Sequence, residues 1–560
     1  MAGFVHAVAL DLDGTITDGD VPSVAALHEI DRLRQEGLAA VLVTGRIVTE
    51  LDTAFPDLRE HFDAVVAENG AVLLIGGSAT DLAVPVDDAL ASELAGLRIG
   101  FRRGRVLLAA ESADAATIVA AAGRLGLDCQ IVRNRGALMV LPSGVSKATG
   151  LVSALDELGI SPHNVLAAGD AENDLALLQV AEVGVAVANA VPSLRAQADV
   201  VMDEPDGDGL AALLAGPVLT GESVVRPARR RVRLGQFDDG TSAMLLAWPA
   251  NVLVCGESGA GKSYIAGLLI EQWITAGYSV LVIDMEGDHV ALDRLRKTIV
   301  VEGKPSAIQL LSMLRQRSLS VILDLSGLDE TEKLAYLRTL PAVIETERAA
   351  WGLPHWIVVD EAHVTLSEGG IASDIFRPAD RGYCLVTYRP EQLCAVATAA
   401  IDVTITALAT EGPRHLAPEP RARATLREAG TPERGFTVAT RRTPHVRHRH
   451  KYTAATLPEQ CWFRFRDGAG AVVAIARNLA EFDRILSEVD NDVIEHHLTH
   501  GDFSRWALGA MQDRELAASI GAAERSVIAR RAADLLSARQ RVRDEVAGRY
   551  LFGEGEKTGT

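Results

Sequence analysis

Val5-His6-Ala7-Val8-Ala9-Leu10-Asp11-Leu12-Asp13-Gly14-Thr15 is the stretch that decides how the first third of the chain folds. Val5 to Leu10 reads as a buried strand. Asp11 and Asp13 follow it at i and i+2 of an extended segment, so their carboxylates point to one side while Leu12 turns toward the core. Gly14 permits the tight turn that leaves both acids at the carboxyl edge of a sheet, where open α/β sheets bind ligands.

Outward from that stretch, the same rhythm continues. Val24 to Glu36 is an amphipathic helix, and Ala39 to Val43 is a second strand ending in Thr44-Gly45-Arg46. Residues from about 80 to 140 break the pattern, reading as helix, two short strands, helix, two short strands, with Arg102-Arg103-Gly104-Arg105 as a hairpin turn. This is the signature of a compact insert in an α/β domain. Lys147 then opens a helix, and the strand Val165 to Ala168 leads into Gly169-Asp170-Ala171-Glu172-Asn173-Asp174. The chemistry of these residue types fits phosphoryl transfer. One carboxylate can attack phosphorus and its neighbour can carry a proton, while a divalent cation with oxygen ligands offsets the adjacent anions. The Thr44 hydroxyl and the backbone N–H groups after it can hold phosphate oxygens, and Lys147 supplies a point charge for the developing phosphorane. Any one of these signals could arise by chance; four in order, each at a strand end or helix start, are specific.

These four segments, DLDGT, VTGR, the lone Lys147 and GDAEND, resemble the motifs of the haloacid dehalogenase (HAD) phosphatases over about residues 4–215. Glu68-Asn69-Gly70 and Gly184 to Ala190 resemble the subgroup that carries an αββ-type cap, typified by phosphoglycolate and sugar-phosphate phosphatases. The resemblance implies Asp11 as nucleophile through an aspartyl-phosphate and Asp13 as general acid/base. It implies Thr44, Gly45, Lys147 and Asn173 as phosphate-binding residues. Asp11, Asp13, Asp170 and Asp174 would form a Mg²⁺ site.

A second constellation begins at Gly256-Glu257-Ser258-Gly259-Ala260-Gly261-Lys262-Ser263, between the strand Asn251 to Val254 and a helix opening at Ser263. This is the phosphate-cradling loop in its confirming context: backbone N–H groups surround the phosphates, Lys262 reaches the β/γ-phosphates of ATP, and Ser263 meets magnesium. The strand Trp356 to Val359 ends in Asp360-Glu361, with Asp360 suited to the magnesium shell and Glu361 to orienting the attacking water. Together with Val280 to Asp284, Val321 to Leu325 and Cys384 to Val386, these segments resemble ATPases of the HerA/FtsK type over about residues 230–410. Tyr388 stands where that family carries a Gln that senses the γ-phosphate, which leaves Thr387 and Arg389 as the sensor candidates.

The fold class that follows is α/β: a HAD Rossmann-like domain with an inserted α+β cap, a P-loop ASCE-type ATPase domain, and a small C-terminal α+β/helical domain. The expected boundaries are 1–215 (cap about 80–140), a linker 216–229, 230–440, a basic linker 441–455, 456–552, and a disordered tail 553–560. A formal charge of −20 disfavours a chain coated in nucleic acid. The basic clusters Arg226 to Arg233 and Arg441 to Lys451 read as solvated linkers. Five scattered cysteines without a CxxC pair fit reduced thiols, no apolar run approaches the ~20 residues of a membrane span, and a cytoplasmic address is expected. His496, His497 and His500 lie in a helix-like stretch, and His496 and His500 share a face at a spacing that suits zinc, but no HExxH context accompanies them; His445, His448 and His450 sit among arginines, which repel a cation, in a linker. Phe503 and Trp506 read as core. The function expected is hydrolysis of a small phosphorylated metabolite with Mg²⁺, fused to an ATP-binding and hydrolysing unit through which an oligomer could assemble. A nucleic-acid-linked translocase or end-processing protein is the alternative, disfavoured by the cap because a polynucleotide end needs an open cleft.

Overall fold

Buried apolar runs of four or five residues build two sheets with parallel cores. The structure, a computed structural model, describes residues 4–134, 137–368, 373–377, 380–409, 422–444, 452–453, 455–511, 513–529 and 535–551. The expected tail 553–560 and the histidines at 445, 448 and 450 lie outside the described residues.

In the first sheet the strand Ala7–Leu10 lies between Ala39–Val43 and Val165–Gly169, parallel to both. The chain first winds outward to Ala64–Ala67 and then returns to Val165–Gly169 on the other side. The winding therefore reverses beside the carboxyl end of Ala7–Leu10, which opens a crevice there. The flanking helices are set by local chemistry. Ser23 caps Val24–Gln35 by accepting from the Ala26 N–H, and Ala26, Ile30 and Leu33 bury one face of it. Ser146 and Thr149 form a capping box that fixes Lys147 as the first residue of its helix, Lys147–Leu158. The insert contains the helices Asp88–Gly96 and Ala115–Leu125 on a four-stranded antiparallel sheet, with its own apolar cluster.

The second sheet has eleven strands among the described residues. Its parallel part runs Val403–Leu408, Asn251–Cys255, Tyr383–Thr387, Trp356–Val359, Val280–Asp284, Ser320–Asp324, Thr298–Glu302. An antiparallel wing from Arg231–Phe237, Ser242–Leu246, Arg423–Glu428 and Arg434–Val438 extends it. A C-terminal unit follows: a hairpin, Phe463–Arg466 with Val472–Ala476, and, among the described residues, five α-helices around Phe463, Phe465, Phe482 and Phe503. No helix among the described residues is long and apolar enough to cross a membrane.

The two sheets meet at their amino edges. Phe4 stacks on Trp248 with ring centroids 4.1 Å apart. Asn164, which precedes Val165–Gly169, donates to the Phe4 carbonyl and accepts from His355 Nε2. His355 directly precedes Trp356–Val359, and its Nδ1 accepts from the Ser279 N–H at the start of Val280–Asp284. His163 stacks on Tyr278, and both bond the buried Glu182 carboxylate. Arg229 and Arg230, expected in a solvated linker, instead donate to the carbonyls at the end of the helix Leu175–Val180. Those carbonyls have no partner within their helix, and cations are favoured there. Arg441 is likewise buried against the helix Lys262–Thr275 and bonds Thr443, which with the Arg442 N–H binds Glu271.

Burial holds His355 well below the ordinary histidine range, and burial holds His289 down to about 4. Unfolding releases both to a value of about 6.5, so between the folded and unfolded values the unfolded chain binds more protons. Stability from this source is complete above about pH 6.5 and is lost as the pH falls below it. The unfolding midpoint is expected to drop by several degrees between about pH 7.5 and 5.5, each kcal/mol being worth about 2–4 °C in a unit of this size. His355→Gln keeps both hydrogen bonds but cannot titrate, so its midpoint should fall less over that interval in a thermal melt. An equal fall would remove His355 from the explanation.

Candidate active sites

At the first crevice three carboxylates from two adjacent strand ends converge. Asp11, Asp170 and Asp174 are buried, and one oxygen of each lies within 4.8 Å of the others. Lys147 Nζ sits 2.5 Å from Asp11 Oδ1 and 2.5 Å from Asp174 Oδ1. Asp174 Oδ2 accepts the N–H groups of Asp170 and Ala171, so this residue anchors its loop as well as the lysine. Burial and then the Asp174 charge push the Asp11 carboxyl well above the usual range, against the pull of Lys147. Burial opposes the Lys147 charge, but Asp11 and Asp174 outweigh it and hold the ammonium above its ordinary value.

Thr44 is buried at the next strand end, its hydroxyl accepting the Arg46 N–H and its carbonyl the Asn69 N–H. Asn173 donates to Asn69 Oδ1 at 3.0 Å, while its own Oδ1 is buried with no protein partner. A Cβ placed on Gly45 would lie 3.4 Å from the Met139 sulfur, so the insert covers this corner of the crevice. Asp13 is placed apart from the three clustered carboxylates. Arg46 grips it through Nε and Nη2, the shortest contact 2.6 Å, at the rim of the crevice. Asp11, Lys147, Asp170 and Asp174 thus cluster in the crevice, Thr44, Gly45 and Asn173 stand at the neighbouring strand end and loop, and Asp13 lies at the rim. Arg46, Asn69 and Met139 are neighbours of these residues to which the sequence reading gave no role. Arg46 was visible in the strand-end tripeptide, whereas nothing in the sequence brings Met139 to Gly45.

The carboxyl edge of the second sheet carries the second site. Gly256, Gly259 and Gly261 take φ of 140°, 81° and 100°, values that favour glycine and curl the loop. Lys262 Nζ bonds the Glu257 carbonyl at 3.0 Å, and Ser263 follows on the first turn of the helix. The strand Tyr383–Thr387 lies between the loop's strand and the one bearing Asp360, so Thr387 stands between them. His363 Nδ1 is 3.1 Å from Thr387 Oγ1 and 3.2 Å from Glu361 Oε2, so the ring lies between the acid and the sensor candidate. The Tyr388 ring lies 5.6 Å from Lys262 Nζ and 4.9 Å from the Arg389 guanidinium. Asp284 and Asp324 end the neighbouring strands, and the sequence reading assigned them no role. Burial, followed by the Asp284 and Asp288 charges, pushes Asp360 well above the usual carboxylate range.

The C-terminal histidines behave as core and surface groups. His497 accepts the Arg466 N–H at Nε2 and bonds Asp502 through Nδ1, using both ring nitrogens, and His500 Nδ1 turns to the His496 carbonyl. Phe503 is fully buried and Trp506 is packed against the same cluster.

Comparison with known proteins follows this division. Residues 8–87 and 122–214 match the family model described as haloacid dehalogenase-like hydrolase. Residues 250–314 match the central domain of helicase HerA. The phosphoglycolate phosphatase of Methanothermobacter thermautotrophicus is 32% identical over 213 residues, covering 37% of this chain and 96% of the relative. That of Halorubrum lacusprofundi is 33% identical over 227 residues, covering 38% and 96%. Among solved structures, a haloacid dehalogenase-like hydrolase from B. subtilis is similar at 19% identity and a TM-score of 0.33, covering 38% of this chain and 99% of that one.

Proposed function

Through its N-terminal 215 residues the chain belongs to the haloacid dehalogenase-like hydrolases, and from that premise we propose that it hydrolyses a small phosphomonoester with Mg²⁺, beside a HerA-type domain that binds and hydrolyses ATP. The observation that carries the phosphatase reading is the lysine held between Asp11 and Asp174, with Asp170 beside them, at a sheet crevice under an insert. Three converging carboxylates form a hard-oxygen donor set that fits Mg²⁺. Asp11 and Asp170 would hold the ion, with Asp174 Oδ1 on the same side, and the ion would supply charge neutralisation for the phosphoryl group.

In the proposed reaction an Asp11 oxygen attacks phosphorus and the ester P–O bond breaks. Asp13 gives its proton to the leaving oxygen. Water then attacks the aspartyl-phosphate, Asp13 takes a proton from it, and phosphate leaves with Asp11 restored. Lys147 faces the charge on the phosphoryl oxygens, and Thr44 with the Gly45 and Arg46 N–H groups would seat them. Arg46 orients Asp13 by its forked contact.

Met139 over Gly45 supports a small substrate, and the relatives named phosphoglycolate phosphatases make 2-phosphoglycolate the first ester to test. A screen of small phosphoesters against a 3′-phosphorylated oligonucleotide decides the class. Turnover confined to small esters supports the reading; preference for the oligonucleotide would replace it with nucleic-acid end processing. In the same assay Asp13→Asn is expected to cost about 10²-fold or more in kcat through lost proton transfer. An unchanged rate would remove Asp13 from the proton path.

A further inference from the structure

Glu68, Asn69 and Gly70 follow the strand Ala64–Ala67 with φ of 52°, 56° and 103°, three successive residues in the left-handed region. For Glu68 and Asn69 this conformation is costly, and such strain persists where the surroundings enforce it. Each residue of the turn is committed to a different part of the phosphatase. The Glu68 carboxylate is fully buried and accepts three backbone N–H groups from the hairpin turn of the insert: Arg105 at 2.8 Å, Val106 at 2.9 Å and Leu107 at 3.2 Å. Gly104 lies so close that a Cβ there would sit 2.5 Å from Glu68 Oε2. Asn69 holds Asn173. Gly70 abuts the backbone of Ser146 and Lys147, where a Cβ would fall 1.9 Å from the Ser146 carbonyl oxygen.

A buried carboxylate is costly unless hydrogen bonds replace its water, and three convergent amides do so here, with the Arg105 charge nearby. The hairpin turn is not part of the covalent connections between insert and sheet domain. Val106 and Leu107 nevertheless bury in the apolar cluster of the sheet domain, at the point that Glu68 grips.

We infer that Glu68 is a positioning residue that pins the cap hairpin to the sheet domain, where the hairpin also bonds the incoming connection at Asp81 and Val86. The same strained turn then sets the phosphate floor through Asn69 and Gly70. Cap placement and floor geometry are thereby fixed together, and the cap that carries Met139 over Gly45 stays in place without a bound ligand. This inference rests on the phosphatase reading for its rate measurements but not for its structural one.

The test compares the full-length protein with Glu68→Ala, Gly104→Ala and the double variant. Amide hydrogen exchange reads the pin directly. In Glu68→Ala the amides of residues 105–107 are expected to lose protection, while those of Ala7–Leu10 keep theirs and report an intact sheet. Hydrolysis with Mg²⁺ reads the consequence, using 2-phosphoglycolate as the small ester and a nucleoside 5′-monophosphate as the bulky one. Turnover of the small ester should fall about 10²-fold as the cap drifts. The preference for small over bulky ester should fall by at least about tenfold. Gly104→Ala pushes on the same contact from the other side, so the double variant should be no worse than the worse single. If Glu68→Ala does not fold, Gly104→Ala carries the same comparison. Unchanged protection of 105–107, or equal proportional loss on both esters, would overturn the pin. If wild type hydrolyses neither ester, the phosphatase reading falls and exchange alone still decides the role of Glu68.

Discussion

Asp11→Asn is expected to lower phosphate-ester hydrolysis by about 10⁴-fold or more, the scale on which removal of a nucleophile acts. The amide oxygen is a poor nucleophile, and it brings no negative charge to the three-carboxylate cluster. The substitution is nearly isosteric, so packing around the fully buried Leu10 and Leu12 is preserved. Lys147 keeps its 2.5 Å contact with Asp174, so its charge is not left without a partner. Loss of function should therefore come without loss of fold, which separates this variant from Lys147→Ala. There the carboxylates of Asp11 and Asp174 would face each other without a cation, and both stability and rate should fall. Measurement of turnover and of the melting midpoint on the same purified protein distinguishes these cases. Full activity in Asp11→Asn would sink the assignment of the nucleophile.

Buried strands followed at once by acids or glycines are local signals, and Asp11, Thr44, Asp170, the phosphate loop and Asp360 all stand where such runs end. The insert was legible for the same reason, since its helices and short strands alternate with the periods that burial on one face demands. What stayed hidden depends on pairings across long stretches of chain. Arg229 and Arg230 read as solvated because basic runs usually are, and nothing local tells that helix-end carbonyls 47 to 51 residues earlier face them. The antiparallel wing joins Arg231–Phe237 to Arg434–Val438, and the contact of His355 with Asn164 spans 191 positions. Glu68 was visible only as part of a resembling tripeptide. Its work depends on a turn whose φ values a sequence does not display and on amides of the cap hairpin.

At the second site, Lys262→Ala and Glu361→Gln are expected to separate binding from turnover. Lys262 Nζ now rests on the Glu257 carbonyl, an uncharged partner that a phosphate would displace. Losing a charge-assisted contact of this kind costs about 1.5–3 kcal/mol, or on the order of 10–10²-fold in ATP affinity. Glu361→Gln should leave affinity nearly unchanged, because glutamine tolerates the backbone φ of 49° no worse than glutamate and preserves the reach toward His363. It removes the charge that would polarise water, so turnover should fall about 10²-fold or more. Tyr388 makes the wild-type rate informative. Its ring lies beside Lys262 and Arg389, where the HerA/FtsK resemblance leads one to expect an amide. Measurable ATP hydrolysis would show that the sensor candidates Thr387 and Arg389 suffice without that amide. Binding without hydrolysis would make the domain a nucleotide sensor. The strands that end in Asp170, Asp284 and Asp360 begin at the shared contact of Asn164, Ser279 and His355, so the two sites lie at the far edges of a continuous packed path. A shift of one set of strands on ATP binding reaches the other through that contact and through Phe4 with Trp248 and His163 with Tyr278 beside it, and the phosphatase rate is expected to change with ATP in wild type but not in Lys262→Ala. If ATP binds and the phosphatase rate stays the same, the packed contacts between the two sheets hold two independent sites together.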